Sequence, residues 1–99
     1  MNTLEAYIKS DKPLIVDFSA DWCQPCKLME PVLREVKEKV GDRALVIKMD
    51  IDKCPECVSS YNIRAVPTLI IFKDGEILWR KSGVVPAHEI LQQLNVHIS

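Results

Sequence analysis

The sequence predicts a single small α/β sandwich, with elements in the order αβαβαββα and a four-stranded mixed sheet flanked by helices. Three observations carry this. Two apolar runs of strand length, Leu14 to Phe18 and Ala44 to Ile51, bracket a long amphipathic stretch, which is the pattern of a βαβ unit. Asp74-Gly75 joins two further strand-like segments, and that dipeptide is a strong signal for a tight hairpin. Pro86 then opens a closing helix. The 99 residues, 47% hydrophobic and 27% charged, suffice for one core and no second, so residues 1–99 form one domain.

Each element has a local reason. Leu4, Tyr7 and Ile8 follow the spacing of one helical face, with Asn2 or Thr3 as cap, and predict a short helix over Thr3 to Ser10 that Pro13 ends. The near-continuous apolar run Leu14 to Phe18 suits a strand buried on both faces. From Cys26 to Val40, an apolar stripe of Leu28, Met29, Val32, Leu33, Val36 and Val40 marks the long helix. Glu30/Arg34 and Glu35/Lys39 are its expected ion pairs, Pro31 an expected kink, and Gly41 its stop. Ala44 to Ile51 is the second strand, and Pro55 to Tyr61 a short helix with proline in its first turn. Thr68 to Lys73 and Glu76 to Lys81 form the antiparallel hairpin. Ile90, Leu91 and Leu94 are the inward face of the last helix.

Bulk charge excludes some function classes. Thirteen basic and 14 acidic residues leave a net charge of -1, which gives no electrostatic reason to expect nucleic acid or an anionic membrane as partner. The first apolar run, Leu14-Ile15-Val16, is too short for a signal-peptide core or a membrane span, so a cytoplasmic location is expected. Four cysteines in that reducing compartment point to catalysis or metal binding rather than structural staples.

All four cysteines fall in two C-x-x-C pairs, Cys23-Gln24-Pro25-Cys26 and Cys54-Pro55-Glu56-Cys57. The first follows a strand and opens a helix, where unpaired N–H groups and the helix dipole favour a thiolate. A second thiol three residues on can close a small ring by disulfide exchange. The competing reading is a zinc site built from both pairs. Residues 27 to 53 separate them, more than a zinc ribbon usually carries, and the stretch is filled by a helix and a strand.

With these residues in view, the chain strongly resembles the thioredoxin family. The resemblance rests on Val16-Asp17-Phe18-Ser19-Ala20-Asp21-Trp22-Cys23-Gln24-Pro25-Cys26-Lys27 and Pro31. It continues through Lys48 before Asp50-Ile51-Asp52, Ala65-Val66-Pro67-Thr68, Lys73-Asp74-Gly75 and Gly83, in order from about Thr3 to Val96. It implies a thioredoxin-like sandwich and an enzyme, a protein thiol–disulfide oxidoreductase. Cys23 would attack a substrate disulfide and the more buried Cys26 would resolve the mixed disulfide. Disulfide-containing proteins would be the substrates, and a thioredoxin reductase would be the electron donor. No cofactor and no metal are expected.

The same resemblance implies roles around the dithiol. Asp17 interrupts an apolar strand and would lie behind Cys26, helping to move its proton; the residues alone also allow a solvent-facing aspartate. Lys48 interrupts its strand in the same way and could reach towards Asp17, or send its head to water while its stem packs. A cis Val66-Pro67 bond would leave the Val66 main chain free to pair with an extended substrate segment. Trp22, Gln24, Pro25, Thr68 and Gly83 complete the expected substrate surface.

Three features depart from the family pattern. Gln24 stands where glycine is usual, between the cysteines where residues strongly affect redox poise; reductase is still favoured over oxidase or isomerase. The family's first strand is missing, so Ala44 to Ile51 becomes a sheet edge, open to a weak dimer or a partner, or covered by the first helix or charged residues. Cys54 and Cys57 are a candidate second redox pair, at the carboxyl end of a parallel strand like the first. Either an auxiliary or regulatory disulfide or two passive thiols fits. A docking module without catalysis is the remaining alternative, and an intact dithiol argues against it.

Overall fold

A computed structural model describes residues 3–98. The elements are α1 (Thr3–Ile8), β1 (Leu14–Ser19), α2 (Gln24–Val40), β2 (Leu45–Asp50), α3 (Pro55–Ser60), β3 (Thr68–Lys73), β4 (Glu76–Ser82) and α4 (Ala87–His97). Two short 3-10 turns, Gly41–Arg43 and Ile51–Lys53, flank β2. The order is the expected αβαβαββα. The sheet runs β2-β1-β3-β4, with β2 parallel to β1 and both β1/β3 and β3/β4 antiparallel, so the four-stranded sheet is mixed.

Strand alternation divides the core in two. On one face Ile15, Leu69 and Ile71 pack against Met29, Leu33 and Val36 of α2 and Ile90 and Leu94 of α4. On the other, Leu14, Val16, Phe18, Ile70 and Phe72 meet Leu4 and Ile8 of α1, together with Cys54, Cys57 and Ile63. Every β1 residue is buried, as a central strand covered by helices on both sides requires. Asp17 shares the parity of Ile15 and therefore faces α2.

Some expectations need correction. Leu28 does not belong to the buried stripe and is 61% exposed, because it lies about 100° around the helix from Met29. Tyr7 is 47% exposed at the flank of α1, whose helical turns end at Ile8 rather than Ser10. The Asn2 or Thr3 cap lies outside the described side chains. Ala44 and Ile51 fall outside β2, and Ile51 belongs to the 3-10 turn that follows. Glu30 does not pair with Arg34; its carboxylate is held by Lys48 of β2 at 3.0 Å. The Glu35–Lys39 pair is present but long, at 3.9 Å. Gly41 closes α2 with φ 57°, a left-handed conformation that favours glycine.

Candidate active site

Cys23 is the N-cap of α2. Its backbone is extended, and its sulfur accepts the Cys26 backbone N–H at 3.2 Å. Pro25 occupies the first turn, where its missing N–H costs nothing. The two cysteines are disulfide-bonded with Cα atoms 5.3 Å apart. Cys23 is 5% exposed and Cys26 2%. The N–H groups at a helix start and the dipole of a 17-residue helix favour negative charge on the Cys23 sulfur when the bond is reduced. Gln24 and Pro25, between the sulfurs, are exposed.

A second loop closes over this dithiol. The Val66–Pro67 peptide is cis, and the Val66 carbonyl oxygen lies 3.6 Å from the Cys23 sulfur. Three hydrogen bonds fix the loop. The Thr68 hydroxyl donates to the Ala65 carbonyl at 2.6 Å and shares a hydrogen bond with the Ser82 hydroxyl at 2.9 Å. The Gly83 N–H donates to the Pro67 carbonyl at 2.8 Å, with Gly83 at φ 94°. Thr68 is wholly buried, so it reaches the surface only through the loop it ties.

Beside the sulfurs, Trp22 is 68% exposed, and its indole N–H donates to Asp52 Oδ2 at 3.1 Å. Asp52 is presented by the Ile51–Lys53 turn, which Asp50 caps by accepting the Asp52 N–H at 2.9 Å. Trp22, Ile51, Ile63, Arg64, Ala65 and Val66 line a shallow hollow of about 140 Å³. Neither Asp52 nor Ser82 was marked as a site residue in the sequence, although Asp52 stood within a matching run. The Trp22–Asp52 contact spans 30 positions and has no local signal.

On the α2 face of β1, Asp17 is completely buried, and neither carboxylate oxygen has a hydrogen-bond partner. Burial pushes its carboxyl up from 3.8 to about 6; nearby Lys48 pulls it down and Glu30 pushes it up. A groove of about 330 Å³ opens beside it, lined by Leu33, Val46 and the charged ends of Glu30, Arg34, Lys37 and Lys48. Lys48 is the register partner of Asp17, yet its ammonium donates to Glu30 Oε1 at 3.0 Å. That hydrogen bond raises the Lys48 pKa and lowers that of Glu30.

Cys54 and Cys57 are also disulfide-bonded, with Cα atoms 5.3 Å apart, and are 3% and 1% exposed in the α1/α3 half of the core. The four sulfurs thus pair two and two. Among the described residues no three His, Cys, Asp or Glu side chains converge in a cluster that could hold a metal ion.

A C-x-x-C pair at the start of a long helix, faced by a cis-proline loop, on a β2-β1-β3-β4 mixed sheet defines a protein of the thioredoxin fold. The Thioredoxin family model matches residues 2–96, and the chain belongs to the thioredoxin family. Among its relatives is the chloroplastic thioredoxin Y of Oryza sativa subsp. japonica, 48% identical over 86 residues, which are 87% of this chain and 51% of that protein. The chain thus spans about half the length of the first curated relatives it matches. The thioredoxin-like protein slr0233 of Synechocystis sp. is 40% identical over 97 residues, covering 98% of this chain and 92% of the relative. A mutant thioredoxin from Halobacterium salinarum NRC-1 shares the fold with a TM-score of 0.87 and 31% identity, over 97% of this chain and 83% of its own.

Proposed function

We propose that the chain is a protein-disulfide reductase working through a Cys23/Cys26 dithiol–disulfide cycle. The observation that carries this is the Cys23–Cys26 pair at the N-terminus of α2, with the Val66 carbonyl beside the Cys23 sulfur. The Cys23 thiolate attacks a substrate disulfide; one substrate sulfur leaves as thiolate and the other is joined to Cys23. Cys26 then loses its proton to Asp17 and attacks the Cys23 sulfur. The Cys23–Cys26 disulfide forms, the second substrate sulfur leaves as thiolate, and the substrate has gained two electrons. A reductase of the thioredoxin reductase type then supplies two further electrons that reduce the Cys23–Cys26 disulfide to the dithiol.

The extended substrate segment docks along the Val66 main chain, next to Trp22, Gln24, Pro25 and Gly83. Thr68 serves by holding the loop. Lys48 serves by its charge near Asp17. The relatives span bacteria and chloroplasts; we assign this chain to the cytoplasm. No helix among the described residues is long and apolar enough to cross a membrane. It acts as a monomer or a weak dimer formed through the β2 edge.

Equilibration across a graded thiol/disulfide series, followed by alkylation and mass spectrometry, tests the reading. The Cys23–Cys26 bond is expected to persist until strongly reducing conditions. Cleavage under mild conditions would move the assignment to an oxidase or isomerase. Absence of any reversible bond would remove the redox function altogether.

The second pair takes a different role in this proposal. Cys54 and Cys57 belong to the core cluster that holds Leu4 and Ile8 of α1, and they stand directly after the turn that carries Ile51 and Asp52. Their disulfide acts as a clamp on that turn. Replacing both with alanine should lower the unfolding free energy by about 2 kcal/mol, the scale for so short a loop. Urea titration reads that loss, and disulfide-reductase turnover should be retained. Turnover that collapses in a folded double variant would instead place the pair in the electron path.

A further inference from the structure

Asp17 and Lys48 are directly paired in register across β1 and β2, and strand alternation sends both side chains to the α2 face. A buried carboxylate beside an ammonium would ordinarily capture it. Here the Lys48 Nζ donates to Glu30 Oε1 at 3.0 Å, and both Asp17 oxygens are left without a partner. Two carboxylates compete for one cation, and the one on α2 holds it. Glu30 and Lys48 are about half exposed, at 46% and 49%, so their pair stands at the rim of the groove while Asp17 lies at its floor.

We propose that Glu30 is a positioning residue for the proton step: by holding the Lys48 ammonium at the groove rim, it keeps the buried Asp17 carboxyl unpaired, able both to take up and to release a proton. The proposal deepens the reading above and rests on Asp17 as the proton partner of Cys26. An Asp17 locked to Lys48 would be a weaker base when Cys26 must lose its proton. It would also give that proton to water before Cys26 needed it back when the cycle runs in reverse.

The surrounding charges fix the sign. From β2, Lys48 faces Asp17. From α2 come Glu30, Arg34 and Lys37 along the groove, with the Cys26 thiol in the first turn of the same helix. From β3 the register partner is apolar Leu69. Asp21, just past β1, acts on Lys48, and Lys27 and Arg34 act on Glu30. Neutralising Glu30 removes a charge that raises the Asp17 pKa and frees an ammonium that lowers it. Both changes act in the same direction.

The test follows the Asp17 carboxyl carbon by NMR titration in the oxidised full chain, in the natural sequence, E30Q, K48M and the double variant, alongside the pH profile of kcat. The Asp17 midpoint should fall by about half to one pH unit in E30Q, which is about a three- to tenfold loss of proton affinity. In the K48M background the same change should shift it less than half as far, because no ammonium is released. The acid limb of kcat should move down with the midpoint in E30Q while KM stays constant. An unmoved midpoint in E30Q, or an equal shift with and without Lys48, overturns the role of Glu30. An Asp17→Asn variant that keeps the natural pH profile overturns instead the proton-step reading on which the proposal stands. The two failures are therefore told apart.

Discussion

Replacing Cys23 with serine is expected to lower disulfide-reductase turnover by more than about a thousandfold, the scale on which loss of a covalent nucleophile is felt. The fold should survive the change. Cys23 is the N-cap of α2 and accepts the Cys26 N–H, and serine is among the best residues for that position. A circular dichroism spectrum and urea midpoint close to those of the reduced natural protein would confirm that only chemistry was lost. The serine hydroxyl stays protonated near neutral pH and leaves the intermediate without a sulfur to carry it. Cys26→Ser gives the complementary result. Attack by Cys23 still occurs, no resolving thiolate follows, and a substrate cysteine stays joined to the protein through one disulfide. Mass spectrometry should place that adduct on Cys23. An adduct trapped on Cys26 in the Cys23→Ser variant, with none on Cys23 in Cys26→Ser, would reverse the assigned order of attack.

The order of elements was legible because it depends on local pattern. Thr68–Lys73 has the same bounds in sequence and structure, since the strand starts at a proline and ends at Asp74-Gly75, both strong local stops. The dithiol was legible for the same reason: three residues of spacing and the start of a helix suffice. What escaped depends on partners remote in sequence. The i, i+4 rule gave Glu30 to Arg34, but an exposed helical pair is worth only about 0.3–0.5 kcal/mol and yields easily to a lysine arriving from the next strand. Apolar spacing placed Leu28 in the core because periodicity does not report how wide a face the neighbouring elements cover. The burial of Cys54 and Cys57 depends on α1 closing over β1 from the far end of the chain, and nothing within Cys54-Pro55-Glu56-Cys57 encodes it.

Asp17→Asn is expected to make the protein more stable and less active, with a pH dependence that identifies the cause. The Asp17 carboxyl titrates at about 6 in the folded chain against 3.8 when exposed. Well below pH 3.8 it is protonated in both states and its ionisation costs nothing. As pH rises from about 4 to 6, the unfolded chain ionises first, so the folded state progressively loses stability relative to it. Above about pH 6 the whole cost is present, on the order of 2 to 3 kcal/mol. An asparagine cannot ionise, so the variant should gain about 1 to 3 kcal/mol over the natural protein at about pH 8 and little at about pH 4. Urea unfolding at the two pH values measures the difference. An equal gain at both would mean that packing, and not charge, was relieved. Turnover should fall on the order of a hundredfold, because the Cys26 thiol must then lose its proton to water without a positioned base. A buried, unpartnered carboxylate in the middle of a central strand is a standing cost to the fold, and the proposed coupling to the resolving step would give a physical reason for that cost to be carried.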